Sequence, residues 1–367
     1  MIIGIDASRA LRPVRTGTEV YNAQIIKSLL QVDHKNTYRL YSHTEPVGDM
    51  LDLGQNAEWR VMPFSKGWTL VRLSWEMLKH SPDILFVPAH TLPLITAKKN
   101  VVMIHDIGYD HFPKLYKRTD ILYHHFVVRW AKFRAQHILV PSEFTRQDLH
   151  HKYGISLNRI TTVHHGFDAF GFHPPAQDEK SPINEPYFYF VGRMEYKKNI
   201  SRMLHAFAAF KEQTGLPHKF LLAGRPAHGF DEIQSLHESL GKYKDDVQFL
   251  SYIDQVESEN YLRHAQGLVF CSLFEGFGIP VLEAFASGTP VITSNTTSLP
   301  EVAGDAALLV NPNKVTEITK AMVEIATQPG LRDKLVKRGE KQIKHFSWEK
   351  AAQETLQVLE RVAKGNL

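Results

Sequence analysis

An alternation of short apolar segments with helix-length stretches constrains the fold most, and it runs through nearly the whole chain of 367 residues. The apolar segments are rich in β-branched and aromatic residues, as buried strands are. Neighbouring parallel strands need a long crossover, which a helix usually supplies. The pattern therefore predicts α/β structure with doubly wound parallel sheets. The predicted strands are 2–6, 37–41, 59–62, 83–87, 100–104, 137–140, 160–164, 187–191, 219–223, 247–250, 268–271, 290–293 and 307–310.

The alternation is interrupted once, near the middle of the chain. Residues 169–186 contain four prolines and a short charged run, a composition typical of a linker. At roughly 150 residues per domain the length also suits two domains. We therefore predict a first domain at 1–170, a linker at 171–186 and a second domain at 187–346. Ser347 suits the N-cap of a final helix at 347–365.

Composition excludes several classes of protein. A hydrophobic content of 43% argues against a disordered chain. Cys271 is the single cysteine, so no internal disulfide is expected, and a reducing cytoplasm fits. No apolar run approaches the roughly 20 residues that cross a bilayer, and the first residues resemble a strand more than a signal peptide. The sequence therefore predicts a cytoplasmic location.

The net charge of +4 is unevenly distributed. Residues 1–168 contain 21 Lys and Arg against 15 Asp and Glu, a net of +6, which leaves −2 for the remainder. No basic-aromatic nucleic-acid module accompanies this charge, so no nucleic-acid partner is expected. An anionic acceptor or a phospholipid surface is favoured instead. The segment 67–78 has two open interpretations, a helix that touches lipid or one that packs on its own sheet.

The segment 274–284 is the most informative part of the sequence, because it follows a predicted strand and precedes a predicted helix. Its glycines, Gly276 and Gly278, allow bare backbone to approach a ligand closely. Glu275 and Glu283 can accept hydrogen bonds from sugar hydroxyls at one edge of the sheet. The pattern predicts a polyol-binding site, with a tight turn flanked by solvated glutamates as the alternative.

A second segment, 190–199, follows the first predicted strand of the second domain. Arg193 would supply a planar fork of donors and Lys198 a point cation, a pair suited to a diphosphate. Alone, such a pair is usually a solvated surface feature. Because ligands bind at the carboxyl ends of parallel strands, this loop is expected on the same rim as Glu275, which favours a shared site.

The two segments together resemble the retaining glycosyltransferases of family four. Their fold is GT-B, in which two Rossmann-like doubly wound domains face each other across a cleft. Glu275 and Glu283 match the family's pair of glutamates separated by seven residues, the first contacting the transferred sugar and the second the nucleotide ribose. In the family the final helix packs back on the first domain. The resemblance covers nearly the whole chain and is weakest at about 44–100.

The resemblance implies roles for specific residues. Its catalytic set is His105, Arg193, Lys198 and Glu275. Its donor-binding set is Gly17, Thr18, Gly192, Asn199, Tyr252, Ile253, Gly276, Phe277, Gly278, Ile279, Leu282 and Glu283. Two positions depart from the usual pattern, since Glu19 stands where many relatives have a second glycine and Ser251 where glycine is common.

The implied reaction is transfer of a hexose from a nucleotide-diphosphate sugar to a hydroxyl of a glycan or lipid-linked acceptor, with retention of configuration. GDP-mannose is the first expected donor and a UDP-sugar the second, and neither a metal nor a cofactor is implied. Polysaccharide synthesis at the cell envelope and peripheral contact with the inner face of the membrane are the expected setting. The alternatives are a nucleotide-sugar epimerase or hydrolase, and a non-catalytic nucleotide-sugar-binding protein.

Overall fold

The computed structural model describes residues 1–12, 17–46, 54–169, 171–251 and 253–366. Contacts divide the chain into two compact units. Unit 1 comprises Met1–Gly166 and Phe346–Leu367, and unit 2 comprises Phe167–His345. The segment 171–186, expected to be a linker, is grouped with unit 2. Arg263 holds it there by donating hydrogen bonds to the Gly171 carbonyl at 3.2 Å and to Glu179 at 3.1 Å.

Regular elements alternate along the chain as strand and helix. The strands are β1 (Ile2–Asp6), β2 (Thr37–Ser42), β3 (Ala57–Val61), β4 (Ile84–Val87), β5 (Asn100–Met103), β6 (His137–Val140), β7 (Ile160–Thr162), β8 (Tyr187–Val191), β9 (Lys219–Ala223), β10 (Val247–Phe249), β11 (Gly267–Phe270), β12 (Val291–Ser294) and β13 (Ala307–Val310). The helices are α1 (Gly17–Val32), α2 (Leu73–Lys79), α3 (Gly108–His111), α4 (Arg118–Arg134), α5 (Glu143–Tyr153), α6 (Ile200–Thr214), α7 (Phe230–Glu238), α8 (Gln255–His264), α9 (Ile279–Ala286), α10 (Leu299–Ala303), α11 (Val315–Thr327), α12 (Pro329–Gln342) and α13 (Trp348–Lys364).

The described strands of unit 1 form one parallel sheet in the order β3-β2-β1-β4-β5-β6-β7. Successive side chains of a strand point to opposite faces. In β4, Ile84 and Phe86 therefore join one core cluster, whereas Leu85 and Val87 join another. The first cluster includes apolar side chains of α1 and α13, and the second those of α2 and α4. Unit 1 is thus a doubly wound sheet covered on both faces.

The described strands of unit 2 form a second parallel sheet in the order β10-β9-β8-β11-β12-β13. Its central strands β8 and β11 are almost entirely buried, with Phe188, Phe190 and Phe270 inaccessible to solvent. Helix α6 packs beside α11, where the Thr319 hydroxyl donates to the Ala206 carbonyl at 3.2 Å. The order reverses between β8 and β11, so the loops that follow these two strands lie at a topological switch point, where open α/β sheets bind their ligands.

The predicted fold class is confirmed, since each predicted strand overlaps an observed one and each unit is doubly wound. Strand ends differ by one or two residues. For example, β3 begins at Ala57 rather than Trp59 because Ala57 and Glu58 already pair with β2. Edge pairing of this kind leaves no apolar signal in the sequence. Within the described ranges, no helix is long and apolar enough to cross a membrane.

Candidate functional site

The candidate site of unit 2 lies at the switch point between β8 and β11. The loop after β8 contains Gly192, Arg193, Lys198 and Asn199. The loop after β11 carries Glu275 and leads into α9. A hydrogen bond from the Leu273 amide to the Lys197 carbonyl, 2.8 Å long, joins the two loops. The strand order therefore brings together two motifs that are about 80 residues apart in the chain.

Lys198 and Glu275 form an ion pair. The Lys198 ammonium donates to a carboxylate oxygen of Glu275 at 2.6 Å, and both side chains are only 14% exposed. The ammonium also lies 5.1 Å from the centre of the Phe270 ring. A charge pair in a partly desolvated setting is stronger than one in open solvent. The structure thus holds a cation and a carboxylate, both predicted from sequence as catalytic, at one point of the rim.

Arg193 differs from Lys198 in its freedom to move. Its side chain is 70% exposed, and its closest carboxylate oxygen, on Glu195, is 3.9 Å away. Gly192, beside it, has φ 148°, a conformation that glycine adopts readily and other residues rarely do. The guanidinium can therefore reorient toward an incoming anion without breaking a strong contact.

Asn199 holds the loop together. It has φ 63° in the left-handed region, which asparagine tolerates. Its side-chain amide donates to the carbonyls of Cys271, at 2.9 Å, and Pro312, at 2.7 Å. Arg202 donates to its oxygen at 2.9 Å. Asn199 is predicted as a donor-binding residue, but its side-chain amide donates to the protein's own backbone. It therefore fixes the position of the neighbouring Lys198.

The loop from Glu275 to Gly278 is held in place by Ser298. The hydroxyl of Ser298 lies 2.9 Å from the carbonyl of Glu275 and 2.7 Å from that of Phe277. Gly278 has φ 122°, and a Cβ there would lie 2.7 Å from the Leu299 side chain. The predicted site residues do not include Ser298, although the fold places it against the loop that carries Glu275. The hydrogen bonds from Ser298 explain how a short glycine-containing loop keeps one conformation.

The other predicted donor-binding residues of this loop would contact a ligand mainly through their backbone. The side chain of Leu282 is fully buried and that of Phe277 nearly so, whereas Ile279 and Gly276 are partly exposed. Pro280 occupies the first turn of α9, where its missing amide costs no helical hydrogen bond. The amides at the start of α9 lie at the positive end of a helix dipole. This end of α9 suits a negatively charged or hydroxyl-rich ligand.

Glu283 lies one turn into α9 and is partly buried. Burial raises its pKa to about 7, and the neighbouring carboxylate of Glu259 adds to the rise. Glu259 is itself buried, and its carboxylate accepts from Gln255 at 2.8 Å. Glu283 therefore changes charge near neutral pH, which sequence spacing alone does not reveal.

The loop after β10 carries two predicted donor-binding residues, Tyr252 and Ile253. Ser251 adopts φ 54°, so its backbone has the left-handed conformation that glycine would take most easily. Its carbonyl accepts from the Gly224 amide at 2.7 Å. Ile253 precedes the N-cap residue of α8, Asp254, and is partly exposed. Tyr252 lies outside the described residues.

His105 of unit 1 follows β5 and is nearly buried at 8% exposure. Its Nε2 lies 3.1 Å from the Pro88 carbonyl, which only accepts, so Nε2 carries the proton. Its Nδ1 then accepts from Nε2 of His165 at 3.3 Å. His90 accepts from the His105 amide at 3.2 Å. Burial lowers the pKa of His105 to about 4, so the ring is neutral.

Gly17 and Thr18 lie at the start of α1. The Asn22 side-chain amide donates to the Thr18 carbonyl at 3.0 Å and to the Pro88 carbonyl at 3.1 Å. The Pro88 carbonyl thus joins the start of α1 to His105. Asn22, His90 and His165 were not predicted from the sequence, because only the fold brings them together.

A cavity of about 270 Å³ opens at the switch point of unit 1, between the ends of β1 and β4. Asp6, at the end of β1, is buried in its wall, and burial raises the pKa of its carboxyl. One oxygen of Asp6 accepts from the Ser8 amide and hydroxyl. Arg9 and Arg12 line the same cavity. A carboxylate at the end of the first strand was the sequence signal that could have identified this site.

Both halves of the chain match models of glycosyltransferase families. Residues 15–169 match the family Glycosyltransferase Family 4, and residues 175–342 match Glycosyl transferases group 1. O-antigen chain mannosyltransferase B of Escherichia coli is 27% identical over 345 residues, 92% of this chain and 88% of that protein. O-antigen chain mannosyltransferase RfbU of Salmonella typhimurium is 27% identical over 240 residues, which span 65% of this chain and just under two thirds, 64%, of RfbU.

Solved structures support the same assignment of fold. A sucrose-phosphate synthase from Thermosynechococcus elongatus superposes with a TM-score of 0.74 over 99% of both chains, at 18% identity. That likeness shows the architecture of two Rossmann-like domains. Together with the family matches, which cover most of both halves of the sequence, it confirms the predicted membership. The chain belongs to the group 1 glycosyltransferases of family four and has the GT-B fold.

Proposed function

We propose that this glycosyltransferase moves a mannosyl residue from a nucleotide-diphosphate sugar to a hydroxyl of a glycan or lipid-linked acceptor, with retention of configuration. The observation that carries the proposal is the Lys198–Glu275 ion pair at the switch point of unit 2, beside the start of α9. It combines a cation for a leaving diphosphate with a carboxylate for a sugar. GDP-mannose is the first candidate donor and a UDP-sugar the second.

The cations of the β8 loop serve the leaving group. Breaking the bond between the anomeric carbon and the diphosphate oxygen leaves negative charge on the diphosphate. Lys198 and the exposed Arg193 stabilise this charge, and the amides at the start of α9 add a fixed positive potential. Gly192 keeps the backbone clear of side-chain bulk at this point. The strongest stabilisation is thus directed at charge that develops only during the reaction.

Glu275 positions the transferred sugar and offsets the positive charge that develops on its ring. The acceptor hydroxyl attacks from the same face that the diphosphate leaves, and the departing phosphate oxygen takes the acceptor proton. Glu283 accepts hydrogen bonds from the ribose hydroxyls. Both ring nitrogens of His105 are hydrogen-bonded within unit 1. A hydrogen bond to a sugar hydroxyl would therefore replace its bond with the Pro88 carbonyl or the one with His165.

The mannosyl donor and a role in the cell envelope rest on the two relatives, both named O-antigen chain mannosyltransferases. We further propose that the enzyme works in the cytoplasm at the inner face of the membrane. Nucleotide-sugar donor and lipid-linked acceptor would meet there.

A donor screen followed by a transfer assay tests the function. We expect one nucleotide sugar to raise the melting temperature, since a ligand that binds only the native state stabilises it. With that donor and a dodecyl mannoside as acceptor, in excess chelator, NMR should show one new glycosidic linkage with the donor's anomeric configuration. Release of nucleotide with no acceptor product would favour a hydrolase or epimerase. Stabilisation with no turnover of donor would favour a binding protein.

Donor affinity should depend on pH through Glu283. Its pKa of about 7 means that the carboxyl is protonated below neutral pH and then accepts ribose hydrogen bonds poorly. Affinity should therefore fall about ten-fold as pH drops from one unit above that pKa to one unit below it. Isothermal titration calorimetry measures the effect.

Two variants control this pH experiment. Glu283→Gln should bind donor weakly and without this pH dependence, whereas Glu324→Gln, at a partly exposed position on α11, should behave as wild type. Wild-type affinity that stays constant across the range would show that Glu283 does not contact the donor.

A further inference from the structure

One side of unit 1 exposes an unusual number of large apolar side chains. Helix α4 packs Val127, Val128 and Ala131 inward. On its opposite side, Leu122 and Phe133 are 70% and 75% exposed. A helix that is apolar on both faces has one face without a partner inside its own domain.

Helix α2 and the turn before it repeat this arrangement. Leu73 and Met77 are buried, whereas Val71, Trp75 and Leu78 are exposed. The exposed three are spaced four and three residues apart, so they form one stripe. One side of the segment 67–78 therefore packs on unit 1, as one of the two interpretations expects, and the other side faces outward.

A connecting segment, residues 91–96, joins the two helices into one surface. The Ile95 amide donates to the Ser74 hydroxyl of α2 at 3.1 Å. On the other side, the Trp130 indole of α4 donates to the Pro93 carbonyl at 3.0 Å. Leu94, within the segment, is itself exposed.

We name this surface the apolar face. Its members share an exposure of at least 40%, and they are nine of the fourteen large apolar side chains that reach this exposure in the described part of the chain. They are Val71, Trp75, Leu78, Leu94, Ile95, Leu122, Tyr123, Phe126 and Phe133.

The segments that carry the apolar face are strongly basic. Residues 64–79, 91–98 and 114–134 contain ten Lys and Arg and two Asp and Glu, a net of +8. One of the two acidic residues, Glu76, is buried and paired with arginines. Lys79 lies over the Trp75 ring at 4.8 Å, which places a cation directly beside the apolar stripe. Exposed cations lie at the N-cap of α4, Lys117, and on the helix itself, Arg118 and Arg129.

We propose that the apolar face docks on an anionic lipid surface. Aromatic and aliphatic side chains flanked by cations match an interface in which acyl chains lie beneath anionic headgroups. A protein partner would need an acidic surface that matches the positions of these cations. An anionic membrane carries negative charge across its whole surface, so it neutralises the net charge of +8 in any orientation of docking. The charge therefore favours lipid.

Docking would also position the cavity of unit 1. Tyr123 belongs to the apolar face and lines the cavity, where its hydroxyl lies 3.1 Å from that of Thr91. Phe64, another exposed aromatic residue, lines it as well. Membrane contact would thus hold the cavity, with the Asp6 carboxylate in its wall, at headgroup level. A lipid-linked acceptor could enter it from the bilayer, an extension that rests on the proposed function.

Vesicle sedimentation tests the docking without any sugar transfer. Wild-type protein should bind vesicles of phosphatidylcholine with phosphatidylglycerol, and binding should weaken in pure phosphatidylcholine and in high salt. The variant Trp75→Gln/Leu122→Gln/Phe133→Gln should bind about 10- to 100-fold more weakly, because it removes three apolar anchors. Lys117→Gln/Arg118→Gln/Arg129→Gln should bind more weakly and lose much of the salt dependence.

The matched control is Val256→Gln/Leu309→Gln, which replaces two exposed apolar residues of unit 2 and should bind vesicles as wild type. All variants should keep the wild-type melting temperature and donor affinity. Equal vesicle binding by wild type and the first triple variant would overturn the proposal, as would binding that ignores anionic lipid. A wild-type dimer that the triple variant converts to a monomer, without vesicle binding, would assign the face to self-association instead. Failure of donor turnover with vesicle binding intact would refute only the proposed function.

Discussion

Lys198→Ala should lower kcat about 10²- to 10³-fold at saturating donor, with a smaller loss of donor affinity. The ammonium group lies at the switch point of unit 2 and is mostly shielded from water. There it would stabilise the leaving diphosphate more in the transition state than in the ground state. Single-turnover measurements of nucleotide release separate the chemical step from donor binding.

The ion pair with Glu275 complicates this variant, since removing Lys198 leaves a mostly buried carboxylate without its cation. Lys198→Gln keeps a hydrogen-bond donor toward Glu275 but no charge, and it should show the same loss of kcat. Lys320→Ala, on an exposed part of α11, is the matched control and should react at the wild-type rate. Wild-type kcat in Lys198→Gln would show that the positive charge has no part in catalysis.

Gly224→Ala should destabilise unit 2 by about 3 kcal/mol or more. Gly224 has φ 147°, and an added Cβ would lie only 1.9 Å from the Gly192 carbonyl oxygen. Neither residue can move aside easily, because the backbone at both positions is hydrogen-bonded. The Gly192 amide donates to the Ala223 carbonyl, and the Gly224 amide donates to the Ser251 carbonyl. Scanning calorimetry should show the unfolding transition lowered by about 6–12 °C.

Transfer should fall in the same variant, because the displaced Gly192 carries Arg193 and the loop to Lys198. Gly330→Ala is the control, since Gly330 lies in α12 at an ordinary φ and nothing lies within 4 Å of the added Cβ. It should be neutral or slightly stabilising. A melting temperature for Gly224→Ala equal to that of Gly330→Ala would mean that the close approach of the β8 and β9 loops is not tight in solution.

Much of the architecture could be predicted because the signals are local. Strands buried on both faces are continuous apolar runs, and β4 is an example in which every residue is apolar and buried. The family was predicted from two short motifs, one containing Arg193 and Lys198 and the other Glu275 and Glu283, and the family matches confirm it. Such signals survive in sequence because each depends on a few adjacent residues.

Contacts between distant segments could not be predicted in the same way. His90 and His165 are 15 and 60 residues from His105 in the chain, yet both are hydrogen-bonded to it. The direction of the ring hydrogen bonds follows from the Pro88 carbonyl, which can only accept. Asn199 matched a donor-binding pattern, yet its amide is bonded to two backbone carbonyls. The sequence supplies the residue type at each position and not the partner that satisfies it.

The sequence by itself therefore determined the α/β class, the strand positions, the family and the loops that carry Lys198, Glu275 and Glu283. Only the tertiary structure decided that β11 pairs with β8 rather than with β10, its predecessor in the chain, and so closed the Lys198–Glu275 pair at 2.6 Å. It also set the raised pKa of Glu283 and exposed one face of α2 and α4. The physical reason is that periodicity records which side chains avoid water, whereas distances and pKa values depend on which segments meet.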